Sequence, residues 1–262
     1  MALDVQPALF VSHGSPLLAL DRGPFSEALR GFAASVRPRA IAVVSAHWLS
    51  RESLFVTSSG RPETLYDFGG FPRALYELSY PVRGEPELAR RIVDTLSARG
   101  LSAVAQATRG LDHGAWIPLR LGWPEANVPV IQLSLPRELG PERLLSLGRA
   151  LASLREEGVL LVGSGGIVHN LRALGPDDGP VDARAKAFDD WFAEKLAKMD
   201  VESLALWPRA PEADFAVPTP EHLAPVFVVL GARRPEDRVE PIFEGFQHGS
   251  LSLRTFALRP SI

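Results

Sequence analysis

The sequence contains no cysteine among its 262 residues. This absence excludes disulfides, thiolate zinc sites and cysteine nucleophiles together. Any metal ion bound by this protein must therefore be held by nitrogen and oxygen ligands, such as histidine and carboxylate side chains.

Net charge and long apolar runs are also scarce. The formal charge is −3, which provides no basic surface for nucleic acid or for an anionic membrane. No apolar run approaches the ~18–20 residues needed to cross a bilayer, and Met1 to Asp4 lack the basic region of a signal peptide. We therefore expect a cytoplasmic protein that binds small molecules, with no nucleic acid or membrane as partner.

Apolar, strand-like runs alternate with amphipathic helical stretches along the chain, a pattern typical of an α/β sheet. The pattern predicts one domain over residues 1–262, with a central, mostly parallel sheet flanked by helices. Strands are predicted at 8–11, 41–45, 101–105, 128–135 and 158–162, with an edge strand at 251–258. Helices are predicted at 24–36, 86–96, 140–154 and 183–199, and 207–220 is predicted as a long ordered loop.

Histidines follow several of the predicted strands. The run 8–11 leads into Ser12-His13-Gly14-Ser15-Pro16, and the run 41–44 leads into Ser45-Ala46-His47-Trp48. His169 lies a few residues beyond the strand at 158–162, after a predicted turn at 163–166. Because parallel strands bring their carboxyl ends to one edge of a sheet, we expect these histidines to meet in one site.

Neutral imidazoles held at strand ends suit a divalent transition metal, and a third ligand would still leave coordination positions open. The third ligand is either His222 or its neighbour Glu221, and the residue types leave both alternatives open. Thr219 is predicted to cap a helix that starts at Pro220, which places His222 in a first helical turn. His113 is predicted to lie in a loop, and His248 is assigned to no site.

Six short blocks of sequence occur in a fixed order and carry a family resemblance. They are Ser12-His13-Gly14-Ser15-Pro16, Ser45-Ala46-His47-Trp48, Tyr66-Asp67-Phe68-Gly69-Gly70-Phe71-Pro72, Asp112-His113-Gly114, Gly163-Ser164-Gly165-Gly166-Ile167-Val168-His169-Asn170 and Pro220-Glu221-His222. Together they resemble the class III extradiol ring-cleavage dioxygenases, and within them the DOPA 4,5-dioxygenase branch.

The resemblance implies roles for five histidines. By similarity to the family, His13, His47 and His222 are the metal ligands at the carboxyl-end rim of the sheet. His169 corresponds to the acid–base histidine, and His113 is expected to contact substrate oxygen. The implied cofactor is Fe(II), although Zn(II) can occupy such a site, and the implied partners are a small aromatic diol and dioxygen.

Other interpretations of the same residues remain open. Three histidines with one open position also suit a zinc hydrolase or hydratase, and a non-catalytic metal-binding protein could keep the same fold. Dependence on oxygen separates the first alternative from a dioxygenase. Phe68 and Phe71 are either core residues or walls of an aromatic pocket. Asp112 or a loop carbonyl is a candidate to orient a ligand histidine.

Overall fold

The apolar runs of the sequence form the strands of one large mixed sheet. The computed structural model describes residues 4–176 and 179–260. Its strands are β1 (Ala8–Ser12), β2 (Ala40–Ser50), β3 (Leu54–Thr57), β4 (Ala103–Gln106), β5 (Val130–Pro136), β6 (Val159–Gly165), β7 (Asp237–Phe243), β8 (Phe246–Gln247), β9 (Leu251–Ser252) and β10 (Thr255–Pro260).

Helices flank this sheet, and the predicted ones are confirmed with shorter or longer ends. They are α1 (Pro24–Ala34), α2 (Arg73–Tyr76), α3 (Pro86–Ala98), α4 (His113–Gly122), α5 (Pro141–Leu151), α6 (Ala183–Ala197), α7 (Val201–Ala205), α8 (Ala213–Ala216) and α9 (Ala224–Gly231). Short 3₁₀ helices cover Pro16–Leu20, Ala152–Arg155, Leu171–Ala173 and Trp207–Arg209. None of the described helices is long and apolar enough to cross a membrane.

Eight strands form the main sheet, in the order β4-β3-β5-β2-β6-β1-β10-β7. The central strands β5, β2, β6 and β1 are mutually parallel, whereas β3, β10 and β7 pair antiparallel to their inner neighbours. Strands β8 and β9 form a separate pair. The prediction of a single α/β domain with a mostly parallel sheet flanked by helices is confirmed.

The sheet separates two apolar cores. Successive side chains of a strand point to opposite faces, so Ala8 and Phe10 of β1 pack with α3, α5, α6 and α9. Leu9 and Val11 pack on the other face, against α1 and α4. Because both faces of the central strands are covered, these strands are apolar almost throughout.

Two central strands extend further than predicted, and this changes the setting of the site. Strand β2 continues through Ser50, so His47 lies within the strand rather than after it, beside an irregularity in its pairing with β5 between Val44 and Leu49. Strand β6 continues through Gly165, so the predicted turn at 163–166 is mostly strand. Its residue Ser164 pairs with Ser45 of β2, which extends the sheet to the edge of the site.

The segment before α9 also differs from the prediction. The helix begins at Ala224, so His222 precedes it, and the Thr219 hydroxyl donates to Glu221 instead of capping the helix. A Cβ at Gly165 would lie only 2.0 Å from the His222 carbonyl oxygen. This close approach of the 222 segment to β6, which only glycine allows, replaces the expected extra helical turn.

Three smaller predictions are wrong. His113 is the first residue of α4, because the Asp112 side chain accepts a hydrogen bond from the Ala115 N–H and caps the helix. The segment 207–220 is not a plain loop, since it contains a 3₁₀ helix and α8. The predicted edge strand at 251–258 is split into β9 and β10, and β10 lies inside the sheet between β1 and β7.

A fully buried ion pair joins the ends of the sheet away from the histidines. The Arg155 guanidinium donates to both carboxylate oxygens of Asp237 at 2.6 and 2.9 Å. It also donates to the carbonyl oxygens of Gln6, Ala232 and Leu258. The arginine thus connects the start of β1, the end of α9, β7 and β10.

Replacing this arginine leaves a buried carboxylate without its counter-charge. We expect Arg155→Met to lower the free energy of unfolding by about 3–5 kcal/mol, as measured by urea denaturation. Arg149→Met is the matched control, because Arg149 pairs with Glu142 on the surface with side-chain exposures of 52% and 86%. The control should cost less than about 1 kcal/mol. Equal losses in the two variants would contradict the assignment.

Candidate metal centre

All six histidines of the chain line one cavity of about 410 Å³. They reach it from different elements: His13 follows β1, His47 lies in β2, His113 starts α4 and His169 follows β6. The remaining two are His222, which precedes α9, and His248, which lies between β8 and β9. The predicted meeting of distant histidines is therefore present, and His248, which was assigned to no site, also lines the cavity.

Three of these imidazoles are grouped closely enough to share one ion. One nitrogen from each of His13, His47 and His222 lies within 4.8 Å of the other two. The Nε2 atoms of His13 and His47 are 3.0 Å apart. Two nitrogens bound at ~2.1 Å to one ion, at angles near those of tetrahedral or octahedral geometry, lie roughly 3 Å apart, so this spacing is compatible with adjacent ligands.

The tautomer of His13 follows from the groups behind it. The Ser164 hydroxyl donates its only hydrogen to the Gly114 carbonyl oxygen, which can only accept. Ser164 Oγ must then accept the 2.9 Å hydrogen bond from His13 Nδ1. The Nε2 of His13 is left with its lone pair, which is the form that binds a metal.

The same reasoning applies to His222. The pKa of Glu221 is about 2: burial raises it, but hydrogen bonds from His222 and Thr219 lower it more. The ionised carboxylate can only accept, so His222 Nδ1 donates to it across 3.2 Å. The lone pair of His222 is then on Nε2, and this buried atom has no hydrogen-bond partner.

The buried Nε2 of His222 has no partner and lies in a group of three histidine nitrogens, which is the environment of a metal ligand. Buried polar atoms without a partner are rare, and an ion is one accepted reason for them. The donor set is all imidazole, which suits zinc, iron and similar divalent ions. The described residues therefore fit a divalent transition metal, with His222 in the group and Glu221 behind it as the hydrogen-bond acceptor.

The Asp67 carboxylate, which the sequence does not predict as a site residue, holds the His113 ring by hydrogen bonds. Asp67 Oδ1 accepts hydrogen bonds from the His113 backbone N–H at 2.9 Å and from His113 Nδ1 at 3.0 Å. Burial raises the pKa of Asp67, but its hydrogen bonds and charge interaction with His113 outweigh burial and hold the pKa below its usual value. Asp67 belongs to a block of the family resemblance, but no spacing rule connects it to a histidine 46 residues away.

Asp112 does not orient a histidine in the described structure. Its carboxylate accepts from the Ser45 hydroxyl at 2.7 Å and from the Gln132 side-chain amide, and it caps α4. Burial raises the pKa of Asp112. The expected role in holding a ligand ring falls instead to Ser164 and Glu221, and Asp112 fixes the position of α4.

His169 lies directly against His222, one of the three grouped histidines. Its ring stacks on that of His222 with centroids 3.4 Å apart and an angle of 5° between the planes. Its backbone N–H donates to the Ala216 carbonyl oxygen, and the residue forms an isolated bridge with Leu251. These contacts hold the His169 ring beside the group formed by His13, His47 and His222.

Burial keeps these imidazoles neutral near pH 7. It lowers the pKa of His47 to about 2, and the nearby His113 and His222 act in the same direction. Burial and the neighbouring His222 lower the pKa of His169 to about 3. The pKa values of His13 and His222 are lowered for the same principal reason. Neutral rings have lone pairs available to bind a metal.

Phe68 and Phe71 of the 66–72 segment are both core residues and walls of the cavity. Phe68 and Phe71 line the cavity and also pack against the core on the α1 and α4 side of the sheet. Phe68 meets the His113 ring edge-on at 5.6 Å. The segment is thus a cavity wall that rests on the core.

Comparisons with known proteins show the family of this chain. Residues 7–251 match the family model described as the catalytic LigB subunit of aromatic ring-opening dioxygenase. A 4,5-DOPA dioxygenase extradiol of Beta vulgaris is 38% identical over 260 residues, which cover 97% of this chain and 96% of that protein. The protein of the same name from Escherichia coli K12 is 37% identical over 253 residues, covering 94% and 92%.

A comparison of folds agrees with the sequence comparisons. The crystal structure of an uncharacterized Escherichia coli K12 protein superposes with a TM-score of 0.83 at 32% identity, covering 97% of this chain and all of that one. The protein is thus an aromatic ring-opening dioxygenase. More narrowly, it belongs to the LigB family of class III extradiol dioxygenases.

Gly114 tests whether the packing of α4 positions the histidines. A Cβ there would lie 2.6 Å from Ser45 Oγ, 2.9 Å from His47 Cδ2 and 3.2 Å from His13 Nδ1. We expect Gly114→Ala to weaken zinc binding by about tenfold or more, measured by calorimetry, because both rings must shift. Gly122→Ala in the same helix is the control, since its Cβ would meet nothing closer than 3.6 Å. Unchanged affinity in Gly114→Ala would contradict this packing argument.

The lowered pKa values predict acid sensitivity of the metal-free protein. A histidine has a pKa near ~6.5 in the unfolded chain, so acidification below that value protonates the unfolded state first. The stability that a buried neutral histidine retains above pH ~6.5 is therefore lost as the pH falls toward its folded pKa, about 3 for His169.

We expect His169→Gln to lose less unfolding free energy between pH 7 and pH 5 than the unmodified protein, by roughly 1–2 kcal/mol. Urea denaturation of both metal-free proteins at the two pH values measures this difference. Comparing the two pH values within each protein separates titration from the altered packing. An identical loss in both would show that His169 is not held neutral by the fold.

Proposed function

We propose that this chain opens a catechol ring outside its two hydroxyl groups, with dioxygen as co-substrate and Fe(II) as the metal. The single observation that supports it best is the unpartnered Nε2 of His222, grouped with nitrogens of His13 and His47. Membership of a ring-opening dioxygenase family supports the reaction class. On this proposal, residues 1–262 form one catalytic domain.

His13, His47 and His222 would hold the metal. When bound, a divalent ion supplies a Lewis-acid and redox centre with open positions for the diol oxygens and dioxygen. The Ser164 and Glu221 acceptors fix two of the rings in the tautomer that binds it. Zn(II) can occupy the same nitrogens, because it binds such sites more tightly than Fe(II) does.

His169 would move protons between the protein and the substrate. A bound metal would make a catechol hydroxyl more acidic, so the neutral ring of His169 could accept its proton even with a pKa of about 3. Stacking on His222 keeps the two rings face to face. His169 therefore lies next to the metal ligands without needing to be one of them.

His113 would contact the substrate oxygens from the other side of the cluster. Its ring centroid is 4.0 Å from that of His47. With Nδ1 donating to Asp67, its Nε2 is left as an acceptor for a substrate hydroxyl. The proposed role of Asp67 is to keep the His113 ring in this orientation.

Oxygen uptake by the reconstituted protein tests the function. Protein loaded anaerobically with Fe(II) is mixed with a panel of catechols in air-saturated buffer, and oxygen consumption is followed together with loss of the catechol absorbance. Uptake with at least one catechol is expected. No uptake with any of them removes the proposal, and oxygen-independent turnover would instead favour a zinc hydrolase.

Two substitutions separate metal binding from proton transfer. We expect His169→Ala to keep its metal but to lose at least about 100-fold in kcat. We expect His13→Ala to lose the metal itself, as measured by elemental analysis. His248→Ala, also in the cavity wall, is the control and should keep wild-type metal content. Wild-type metal content in His13→Ala would show that the ligand set is wrong.

A further inference from the structure

The main chain around His47 leaves the regular sheet, and buried side chains hold it in place. We propose that Ser45 and Arg109 are positioning residues for His47. The buried carboxylate of Asp112 in turn holds both of them. The inference rests on the proposed function in one respect, because it takes His47 as a metal ligand. Three features of the described residues carry it.

The first feature is a bulge in strand β2 where it contributes His47. The register of β2 with β5 is continuous up to Val44 and resumes at Leu49, so residues 45–48 lie opposite a single residue of β5. The register of β2 with β6 ends at Ser45. Main-chain groups that leave a ladder need other hydrogen-bond partners, because an unpaired buried polar group is costly.

The second feature is that side chains supply these partners. The His47 N–H donates a hydrogen bond to Ser45 Oγ across 3.2 Å. The Arg109 guanidinium donates to the His47 carbonyl oxygen across 3.5 Å and lies over the Trp48 ring at 4.6 Å. Both main-chain polar groups of His47 are thus held by side chains where the ladder is interrupted.

The third feature is the common acceptor behind these two side chains. A main-chain N–H can only donate, so Ser45 Oγ accepts from His47 and gives its own hydrogen to Asp112 Oδ1 at 2.7 Å. Asp112 Oδ2 accepts from Arg109 at 3.4 Å and from the Gln132 side-chain amide. Asp112 is fully buried, so water does not compete for these hydrogen bonds. The carboxylate therefore fixes both contacts with the His47 main chain.

This arrangement differs from the way in which the other two candidate ligands are held. Ser164 and Glu221 accept hydrogen bonds from the rings of those histidines. His47 is held through its main chain, and its Nε2 lies 3.0 Å from that of His13. Metal–ligand distances stay within about 0.2 Å of their ideal values, so a small shift of the main chain moves the His47 nitrogen out of range. Loss of these contacts should therefore weaken metal binding.

The zinc affinity of the metal-free protein tests the Ser45 contact. We expect Ser45→Ala to weaken zinc binding by about tenfold or more, measured by calorimetry, because the His47 N–H loses its acceptor. Ser50→Ala is the matched control, since Ser50 is also a buried serine of β2 but its hydroxyl donates to the Leu135 carbonyl oxygen. The control should keep wild-type affinity. Equal zinc affinities of the two variants would overturn the inference, whichever of them is less stable.

Arg109→Met tests the second contact. The methionine keeps an apolar side chain beside Trp48 but cannot donate a hydrogen bond. We expect a smaller loss of zinc affinity, about threefold or more, because both hydrogen bonds of Arg109 are long. Arg37→Met is the control, since Arg37 donates to main-chain carbonyl oxygens of Ala34 and Val36 instead. Equal affinities of these two variants would overturn the assignment of Arg109.

A double-mutant cycle shows whether Ser45 acts through His47 or through the fold in general. In protein that already contains His47→Ala, the ring to be positioned is absent, so Ser45→Ala should weaken zinc binding no further. The same loss of affinity in both backgrounds would overturn the inference. If His47→Ala binds no zinc, the comparison of Ser45→Ala with Ser50→Ala decides the question.

Failure of the inference is distinguishable from failure of the proposed function. Wild-type zinc affinity of His47→Ala would show that His47 is not a ligand, which removes the proposed ligand set. Weaker binding by His47→Ala, together with equal affinities of Ser45→Ala and Ser50→Ala, would retain the ligand set and overturn the positioning role alone.

Discussion

The candidate centre depends on hydrogen bonds that fix which nitrogen of His13, His222 and His113 carries a proton. Ser164 and Glu221 accept from the Nδ1 atoms of His13 and His222, and Asp67 accepts from His113. Without these acceptors a neutral imidazole could place its hydrogen on either nitrogen. With them, the lone pair is on Nε2 in these three rings, so two of the three candidate ligands, His13 and His222, are preorganised to bind a cation.

Close backbone contacts make these hydrogen bonds possible. Gly114 lets α4 pack against the rings of His13 and His47, and Gly165 lets the segment around His222 approach β6. The Ser164 hydroxyl joins the same elements, because it contacts both Gly114 and His13. Backbone packing and ligand orientation are therefore parts of one arrangement, in which neither can change alone.

The sequence predicted the sheet and the meeting of the histidines because both follow from local patterns. Alternating apolar segments indicated the α/β fold, and His13 and His169 follow strands whose carboxyl ends share an edge. The supporting acceptors were harder to predict. Ser164 lies 151 residues from His13, and Asp67 lies 46 residues from His113, so only the folded chain brings them together. His248 was missed because no strand pattern precedes it.

The concentration of every imidazole of the chain around one cavity also has a spectroscopic consequence. In proton magnetic resonance the ring protons of histidine resonate apart from most other signals of a protein. Here each such resonance originates at the cavity, with no background from histidines elsewhere. The protein thus contains its own set of reporters, and occupancy of the site can be followed without isotopic or chemical labels.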